Sequence, residues 1–363
     1  MPQVSLIAAA RPNFMKVAPL MRALRHQRID ASLIHTGQHY DRQMSGDFFE
    51  QLGIPEPDVN LEVGSGSHIY QIAEVMRRLE EVYDRRRPDA VVVVGDVNST
   101  LAATLAAVKL NIPVAHVEAG LRSRDRGMPE EVNRVLVDAV SQWLFVSEPA
   151  GLENLRREGV PDDRAFLVGN IMIDTLLAHI EEARQRRVFE RYGVRPRQYA
   201  LLTLHRPSNV DSPERLRGIL QAASVVARSM PVLFPIHPRT AQRLQASGLA
   251  DDSLCNGYTP LPPLGYFDAI GLIDAARLVL TDSGGVQEET TALRVPCLTL
   301  RENTERPITI TEGSNRLVGC HAQDIEQAIS DVLALPERLG NPPPLWDGAA
   351  AVRIARILRN VLQ

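Results

Sequence analysis

Short apolar runs alternate along the chain with longer amphipathic stretches. The four valines at residues 91–94 are β-branched and continuously apolar, which predicts a strand buried on both faces. Strands that alternate with helices in this way are typical of a parallel sheet covered by helices. In the first half of the chain we predict strands at 4–9, 32–35, 90–94, 113–117 and 143–146, and helices at 16–27, 68–85, 100–110 and 130–140.

The same alternation restarts in the second half of the chain. Residues 174–195, rich in Arg and Glu, predict a connecting helix followed by a loop, and 348–363 predict a last amphipathic helix. The predicted fold class is therefore α/β, with two Rossmann-like parallel-sheet domains at 1–170 and 171–347. The second domain has predicted strands at 200–204, 231–235, 277–281 and 296–300, and helices at 213–228, 240–246, 267–276 and 285–293.

Composition narrows the class of protein. The 363 residues carry a formal net charge of −4, whereas nucleic-acid binding usually needs a strong basic excess. Three cysteines without paired spacing exclude a disulfide scaffold and a Cys-based zinc site. We see no signal-peptide pattern and no run near the ~20 apolar residues of a membrane span. We therefore expect a cytoplasmic enzyme or binding protein that contacts neither nucleic acid nor membrane.

Cations follow the first predicted strand. Ligands of parallel sheets bind at the carboxyl ends of the strands, and a helix N-terminus there attracts anions. Arg11 and Lys16 lie in this turn, and the chain has only one other lysine, Lys109. These features favour a phosphate site, with solvated surface cations as the alternative.

A second candidate phosphate site follows the predicted strand 277–281. Gly284 and Gly285 allow close approach of the backbone to a phosphate, and Ser283 can cap the next helix. Arg306 lies after the following strand and offers another cation. The alternative is an ordinary junction between a strand and a helix. Together with the first site, these residues predict a pyrophosphate in a cleft between the two domains.

Carboxylates and histidines also collect near the predicted strand ends. Asp96 and Glu118 end two strands of the first domain, and Glu130 opens a helix. Each alone fits a helix cap or a favourable dipole contact, but several near one anion site suggest proton transfer. His205 and His237 follow strands of the second domain. We predict no metal, since His35 and His39 lie in a loop and not on a helix.

These segments, in this order, resemble the non-hydrolysing UDP-N-acetylglucosamine 2-epimerases. The resemblance covers nearly the whole chain, and the combination of motifs is highly specific. The matching stretches are Arg11-Pro-x-x-x-Lys16, Gly95-Asp96, His116-Val-Glu-Ala-Gly-Leu-Arg122, Pro129-Glu-Glu-x-Asn-Arg134, Thr281-Asp-Ser-Gly-Gly-x-Gln-Glu-Glu289 and Thr304-Glu-Arg-Pro307.

The resemblance implies a glycosyltransferase-B-like fold, with the C-terminal helix 348–363 packed on the first domain, and a homodimer. It implies reversible conversion of UDP-N-acetylglucosamine (UDP-GlcNAc) to UDP-N-acetylmannosamine (UDP-ManNAc), by elimination and re-addition of UDP through a glycal, without a cofactor. The residues expected around the sugar are Asp96, Glu118, Glu130 and His205. Those expected to bind the nucleotide part are Arg11, Lys16, His237, Tyr266, Phe267, Ser283, Gly284, Gly285, Glu289 and Arg306.

Three segments depart from the family pattern. After His205-Arg206 the chain has Pro207-Ser208-Asn209, where many members have Arg-Glu-Asn. Leu264 and Ala269 replace a Gln and a Phe of some members, so Tyr266, Phe267 or the backbone would contact uracil instead. The segment 38–41 reads Gln-His-Tyr-Asp instead of Gln-His-Arg, which speaks against a regulatory UDP-GlcNAc site.

Other functions remain compatible with the sequence. One is a UDP-sugar glycosyltransferase of the same fold. Another is a hydrolysing epimerase, or one that acts on a related UDP-2-acetamido sugar such as a 2,3-diacetamido uronic acid. A third is a nucleotide-sugar sensor without catalysis. Exchange of the C2 hydrogen with solvent distinguishes an epimerase from a transferase and from a sensor.

Overall fold

Two separate parallel sheets contain all the strands of the described chain. The structure, a computed structural model, describes residues 1–9, 11–37, 52–249 and 257–363, without the side chains of Arg11 and Pro12. The chain divides into two compact units, the first formed by Met1–Thr175 and Pro344–Gln363 and the second by Leu176–Pro343. The domain limits inferred from the sequence stay predictions, because compactness does not show that a unit folds alone.

The first unit contains a sheet of seven parallel strands in the order β3-β2-β1-β4-β5-β6-β7. The strand order reverses between β1 and β4, and ligands of such sheets bind at this reversal. Strand β4 is buried along its whole length, as its run of valines predicts. The strands are β1 Gln3–Ala8, β2 Asp30–His35, β3 Val59–Asn60, β4 Ala90–Val94, β5 Val114–Ala119, β6 Trp143–Val146 and β7 Ala165–Leu167.

Helices cover this sheet and begin at recognisable sequence signals. The Ser67 side chain accepts a hydrogen bond from the Tyr70 main-chain N–H and caps α2, and Pro129 occupies the first turn of α4. The helices of this part are α1 Arg11–His26, α2 His68–Arg85, α3 Asn98–Lys109, α4 Pro129–Val140 and α5 Pro149–Arg157. Helix α6, Ile171–Gln185, begins in this unit and continues into the second one.

The second unit repeats the plan with six parallel strands in the order β10-β9-β8-β11-β12-β13. Its strands are β8 Ala200–Thr203, β9 Val232–Pro235, β10 Tyr258–Leu261, β11 Leu278–Thr281, β12 Cys297–Thr299 and β13 Asn315–Leu317. Its helices are α7 Val188–Arg191, α8 Pro207–Val210, α9 Pro213–Ala227, α10 Pro238–Ala246, α11 Tyr266–Ala275, α12 Gly284–Leu293, α13 Ile308–Thr311 and α14 Ala322–Leu333.

The last helix, α15 Ala350–Val361, belongs to the first unit and contacts α1. Its first turn is held by the carboxylate of Asp174, which accepts the main-chain N–H groups of Ala350 at 3.1 Å and Ala351 at 2.7 Å. Trp346 precedes the helix and donates its indole N–H to the carbonyl of Ser147 at 3.4 Å. These contacts fix the chain end to the first unit.

The predicted α/β class with two parallel sheets is confirmed. The sequence prediction missed the short strands β3, β7, β10 and β13, which have only two to four residues. None of the helices in the described ranges combines the length and the apolar character that a bilayer span requires.

Candidate active site

Glu118 lies in strained backbone at the end of β5. Its φ is +71°, a left-handed conformation that costs a non-glycine residue about 1–3 kcal/mol. The pairing register between β5 and β6 shifts between Val117 and Ala119, so Glu118 occupies a bulge of the strand. Bulges redirect a side chain, and strained residues of this kind cluster at functional sites.

The redirected carboxylate forms a buried ion pair with Lys16 of helix α1. Lys16 Nζ contacts Glu118 Oε2, and the two residues are 7% and 5% exposed. The other oxygen, Glu118 Oε1, is buried and has no hydrogen-bond partner among the described residues. A buried oxygen without a donor carries a desolvation cost unless an incoming group supplies the missing hydrogen.

A glycine lets strand β4 approach this pair. Gly95 has a φ of +68°, and a Cβ at this position would lie 3.1 Å from Lys16 Nζ and 3.3 Å from Glu118 Oε2. Asn13 joins the same elements, because it accepts the N–H of Ala9 at 3.3 Å and donates to the carbonyl of Val94 at 3.1 Å. The pair therefore lies where the strand order reverses between β1 and β4.

Asp96 follows Gly95 and forms an ion pair with Arg134 of α4, at 2.9 Å from Nε and 2.6 Å from Nη2. It does not cap α3, because the residue at that cap position is Val97. Arg134 also contacts Glu131 at 2.8 Å. Asp96 is thus held by a guanidinium and is half-buried near the strand end.

The two neighbouring glutamates of α4 have different surroundings. Glu130, the predicted site residue, is exposed, and the structure does not bring it to the Lys16–Glu118 pair. Glu131 is buried and accepts the main-chain N–H groups of Ser123 and Arg124 at 2.8 Å each. Burial raises the pKa of Glu131, but these N–H groups and Arg134 outweigh burial and hold the pKa below its usual value.

In the second unit, the buried carboxylate of Asp282 organises the turn after β8. It accepts the main-chain N–H groups of His205 at 3.1 Å and Arg206 at 3.0 Å, and its Oδ1 lies 2.9 Å from His205 Nδ1. Burial raises the pKa of Asp282, but the contacts with His205 and with both N–H groups lower it below its usual value. An ionised carboxylate therefore orients the His205 ring.

The N-terminus of α12 lies against a guanidinium. Ser283 caps this helix by accepting the main-chain N–H three residues further on at 3.5 Å. A Cβ on Gly284 would lie 2.9 Å from Arg306 Nη1, so the glycine permits this approach. Arg306 is buried and contacts the carboxylates of Glu288 and Glu305. A helix N-terminus beside a fixed guanidinium is suited to bind an anion.

The other residues predicted to bind the nucleotide differ in their surroundings. An added Cβ on Gly285 meets no described atom within 4 Å. Tyr266 is buried, and burial raises the pKa of its hydroxyl. The nearby Glu289 carboxyl adds a smaller contribution in the same direction. Phe267 packs elsewhere, with its ring 5.1 Å from the ring of His179. Phe267 is thus part of the packing on α6 instead of the loop.

His237 caps α10, since its Nδ1 accepts the Arg239 main-chain N–H at 3.2 Å. Its ring centroid lies 6.0 Å from that of His205, and burial and then this neighbour lower the pKa of His237. The Arg11 side chain and the segment 38–41 lie outside the described residues. Within the described ranges, no group of three His, Cys, Asp or Glu side chains is arranged to hold a metal.

Several polar residues of these clusters were not assigned a role from the sequence. All but Asp138, Arg206 and Arg301 lie within the motifs already recognised, but only the fold reveals which side chains meet. They are Asn13, His116, Glu131, Arg134, Asp138, Arg206, Asp282, Glu288, Arg301 and Glu305.

Glu289 makes stability depend on pH. Burial, with a smaller contribution from Glu288, raises the pKa of Glu289 to about 8 from an ordinary 4.5. The unfolded chain releases this proton at lower pH than the folded protein does. The free energy of unfolding therefore falls as pH rises through this interval, by about 1.4 kcal/mol per pH unit.

We expect Glu289→Gln to reduce this fall, because the amide does not titrate. Urea unfolding followed by circular dichroism from about pH 5 to about pH 8 measures the slope. The exposed Glu312→Gln serves as control and should leave the slope of the natural protein unchanged. An unchanged slope in Glu289→Gln contradicts the burial argument.

Comparison with known proteins connects these clusters to a family. A family model described as UDP-N-acetylglucosamine 2-epimerase matches residues 22–359. A UDP-N-acetylglucosamine 2-epimerase from Methanocaldococcus jannaschii is 43% identical over 98% of this chain and 98% of its own. A UDP-2,3-diacetamido-2,3-dideoxy-D-glucuronate 2-epimerase from Pseudomonas aeruginosa is 38% identical over 98% of this chain and 99% of its own.

Solved structures agree with this assignment. The crystal structure of the M. jannaschii UDP-GlcNAc 2-epimerase with UDP-GlcNAc and UDP matches with a TM-score of 0.90 at 42% identity, over 99% of each chain. A UDP-glucosyltransferase from Polygonum tinctorium matches at a TM-score of 0.63 and 14% identity over 99% of this chain and 98% of its own, which shows the fold alone. The predicted glycosyltransferase-B-like fold is confirmed. The chain belongs to the UDP-N-acetylglucosamine 2-epimerase family, a family of isomerases.

Proposed function

We propose that this protein is a cytoplasmic enzyme that interconverts UDP-GlcNAc and UDP-ManNAc. The observation that carries the proposal is the buried Lys16–Glu118 pair, in which Glu118 Oε1 lacks a hydrogen-bond partner among the described residues. A protein built only to bind an anionic sugar nucleotide gains nothing from a strained carboxylate in that position. A proton acceptor, in contrast, needs an oxygen that is not already engaged.

The chemistry explains why such a carboxylate is needed. The C2 hydrogen of a pyranose has no adjacent carbonyl and is hard to remove directly. When the bond from C1 to the UDP oxygen breaks, its electron pair leaves with UDP and C1 becomes electron-poor. A base then removes the C2 proton, and the C2–H electrons form the C1–C2 double bond of a glycal. Re-addition of UDP to C1, with protonation of C2 on the opposite face, gives the epimer.

We assign the proton transfers to Glu118 and Asp96. Glu118 Oε1 is the group best suited to accept or deliver a proton, because it is buried and has no hydrogen-bond partner in the part of the chain that the structure describes. Asp96 is held by Arg134, which fixes its direction while leaving it half-buried. Glu130 is the third carboxylate predicted to lie around the sugar. Because it is exposed, we propose that it contacts solvent or substrate and not the Lys16–Glu118 ion pair.

We assign the nucleotide to residues of the second unit. The capped N-terminus of α12, with Gly284 and Gly285, offers main-chain N–H groups to a diphosphate. Arg306 stabilises the charge that develops as UDP departs, because two carboxylates fix its guanidinium beforehand. His205, whose Nδ1 faces Asp282, can direct Nε2 to the sugar, as the family resemblance implies. Lys16 and Arg11 supply further cations in this proposal.

A second candidate is the same reaction on a UDP-2,3-diacetamido uronic acid sugar. It is favoured by the P. aeruginosa relative of that name at 38% identity. Both candidates share the elimination at C1 and the proton transfer at C2. They differ in the groups at C3 and C6 of the sugar, for which the described residues give no assigned partner.

Proton NMR of the purified protein with UDP-GlcNAc in D2O tests the function. We expect UDP-ManNAc to form and deuterium to enter C2 of both sugars, without an added acceptor. Omission of protein is the control for spontaneous exchange. Release of UDP and free N-acetylmannosamine would indicate a hydrolysing enzyme instead. Binding without any C2 exchange would support a sensor, and turnover of the diacetamido sugar alone would support the second candidate.

We also propose that the protein forms a homodimer through helix α4. This helix exposes Val132, Val135, Leu136 and Val140, whose spacing places them on one side of the helix. A continuous apolar patch on a folded protein marks an interaction surface when it is large enough. The homodimer was implied by the family resemblance, and this stripe supports it.

Sedimentation equilibrium tests the dimer. We expect the natural protein to sediment with about twice the mass of one chain, and Leu136→Glu to weaken association at least about tenfold because it buries a charge. Val352→Glu, which changes an exposed valine of α15, is the matched control. Equal association of all three proteins would contradict an interface on α4.

A further inference from the structure

A buried charge network adjoins the Lys16–Glu118 pair, and the proposed function assigns it no role. It connects strand β5 to helix α4 and to Glu158, the residue that follows helix α5. His116 and Asp138 are 0% and 1% exposed. Its members are His116, Asp138, Arg122 and Glu158.

Both ring nitrogens of His116 face hydrogen-bond acceptors. Nδ1 lies 2.6 Å from Asp138 Oδ1, and Nε2 lies 2.9 Å from the carbonyl oxygen of Gly95. A neutral imidazole has only one N–H, so one of its lone pairs would face an acceptor at this distance. An imidazolium donates to both partners and leaves no such conflict.

Asp138 is surrounded as an ionised carboxylate would be. Its Oδ2 accepts the Gly120 main-chain N–H at 2.9 Å and lies 2.8 Å from Arg122 Nη1. Burial raises the pKa of Asp138, but the charge and hydrogen bond of His116, with Arg122 and Gly120, outweigh burial and lower it. With Arg122 bound in turn by Glu158 at 2.6 Å, the positive and negative charges of the network balance only if His116 is protonated.

The network holds the backbone on both sides of Glu118 through hydrogen bonds. Asp138 binds His116, two residues before Glu118, and Gly120, two residues after it. A left-handed residue persists in a strand only where its surroundings over-determine it. His116 also holds the carbonyl of Gly95, immediately before Asp96. The same pair of side chains therefore fixes the backbone on which both proposed proton-transfer groups are mounted.

We propose that His116 is an imidazolium that donates from both ring nitrogens and acts with Asp138 as a positioning pair for Glu118 and Asp96. Because both N–H groups of His116 are committed, it is not a proton-transfer group, although it lies two residues from Glu118. The positioning part of this inference rests on the proposed function. The charge on His116 does not, so the two parts are tested separately.

Nitrogen-15 NMR of the natural protein tests the charge. We expect both ring nitrogens of His116 to carry protons, with the chemical shifts of an imidazolium. The His116→Gln variant assigns the signal by its loss. A neutral tautomer with one unprotonated nitrogen overturns the proposal, whatever reaction the enzyme catalyses.

Steady-state kinetics with UDP-GlcNAc test the positioning. We expect Asp138→Asn to lower kcat about 10- to 100-fold while KM changes less than about threefold, as with other residues that orient a reactive group. Asp174→Asn is the matched control, since it removes the charge of another buried carboxylate that accepts two main-chain N–H groups of the same unit.

We expect Asp174→Asn to lower the melting temperature without lowering kcat at a temperature where it is folded. An unchanged kcat in Asp138→Asn overturns the positioning role, and so does an equal loss of kcat in both folded variants. If the natural protein does not epimerise UDP-GlcNAc at all, the proposed function fails, and the NMR measurement still decides the charge on His116.

Discussion

The proposed site depends on one buried carboxylate, that of Glu118, whose backbone has a conformation that non-glycine residues seldom adopt. Glu118 adopts a left-handed φ at a strand bulge, pairs with Lys16 through one oxygen and keeps the other oxygen buried. Strain, desolvation and the lack of a hydrogen-bond partner within the described ranges each cost free energy. The surrounding fold must therefore supply stabilising contacts. In the proposed reaction, this costly arrangement leaves a carboxylate oxygen available for proton transfer.

The parallel sheets supply the constraint that makes this possible. In the first unit, the reversal of strand order brings the end of β4, the end of β5 and the start of α1 to one place, where Gly95 allows close approach. The second unit also contains a parallel sheet, but other types of residue lie at its strand ends. There, Asp282 orients a histidine and the N-terminus of α12 lies against Arg306, which suits an anionic nucleotide.

The α/β class, the central strands and many of the helices could be predicted from the sequence. Buried parallel strands are continuously apolar, and amphipathic helices show a helical period. The edge strands were missed because strands of two to four residues, such as Val59–Asn60, carry little pattern. Strand-end position selected Asp96, Glu118 and His205 for inspection, and their roles stay predictions. It did not reveal the left-handed backbone of Glu118 or the contrast between exposed Glu130 and buried Glu131. It also did not reveal His116 with Asp138, since partners on different elements meet only after folding.

The central claim is that Glu118 transfers the C2 proton. The most direct measurement is the rate at which deuterium enters C2 of UDP-GlcNAc in D2O, compared between the natural protein and Glu118→Gln, with UDP affinity measured by calorimetry for both. The account predicts unchanged UDP affinity and loss of C2 exchange in the variant, because the amide cannot accept the proton. Exchange at the natural rate in Glu118→Gln would contradict it.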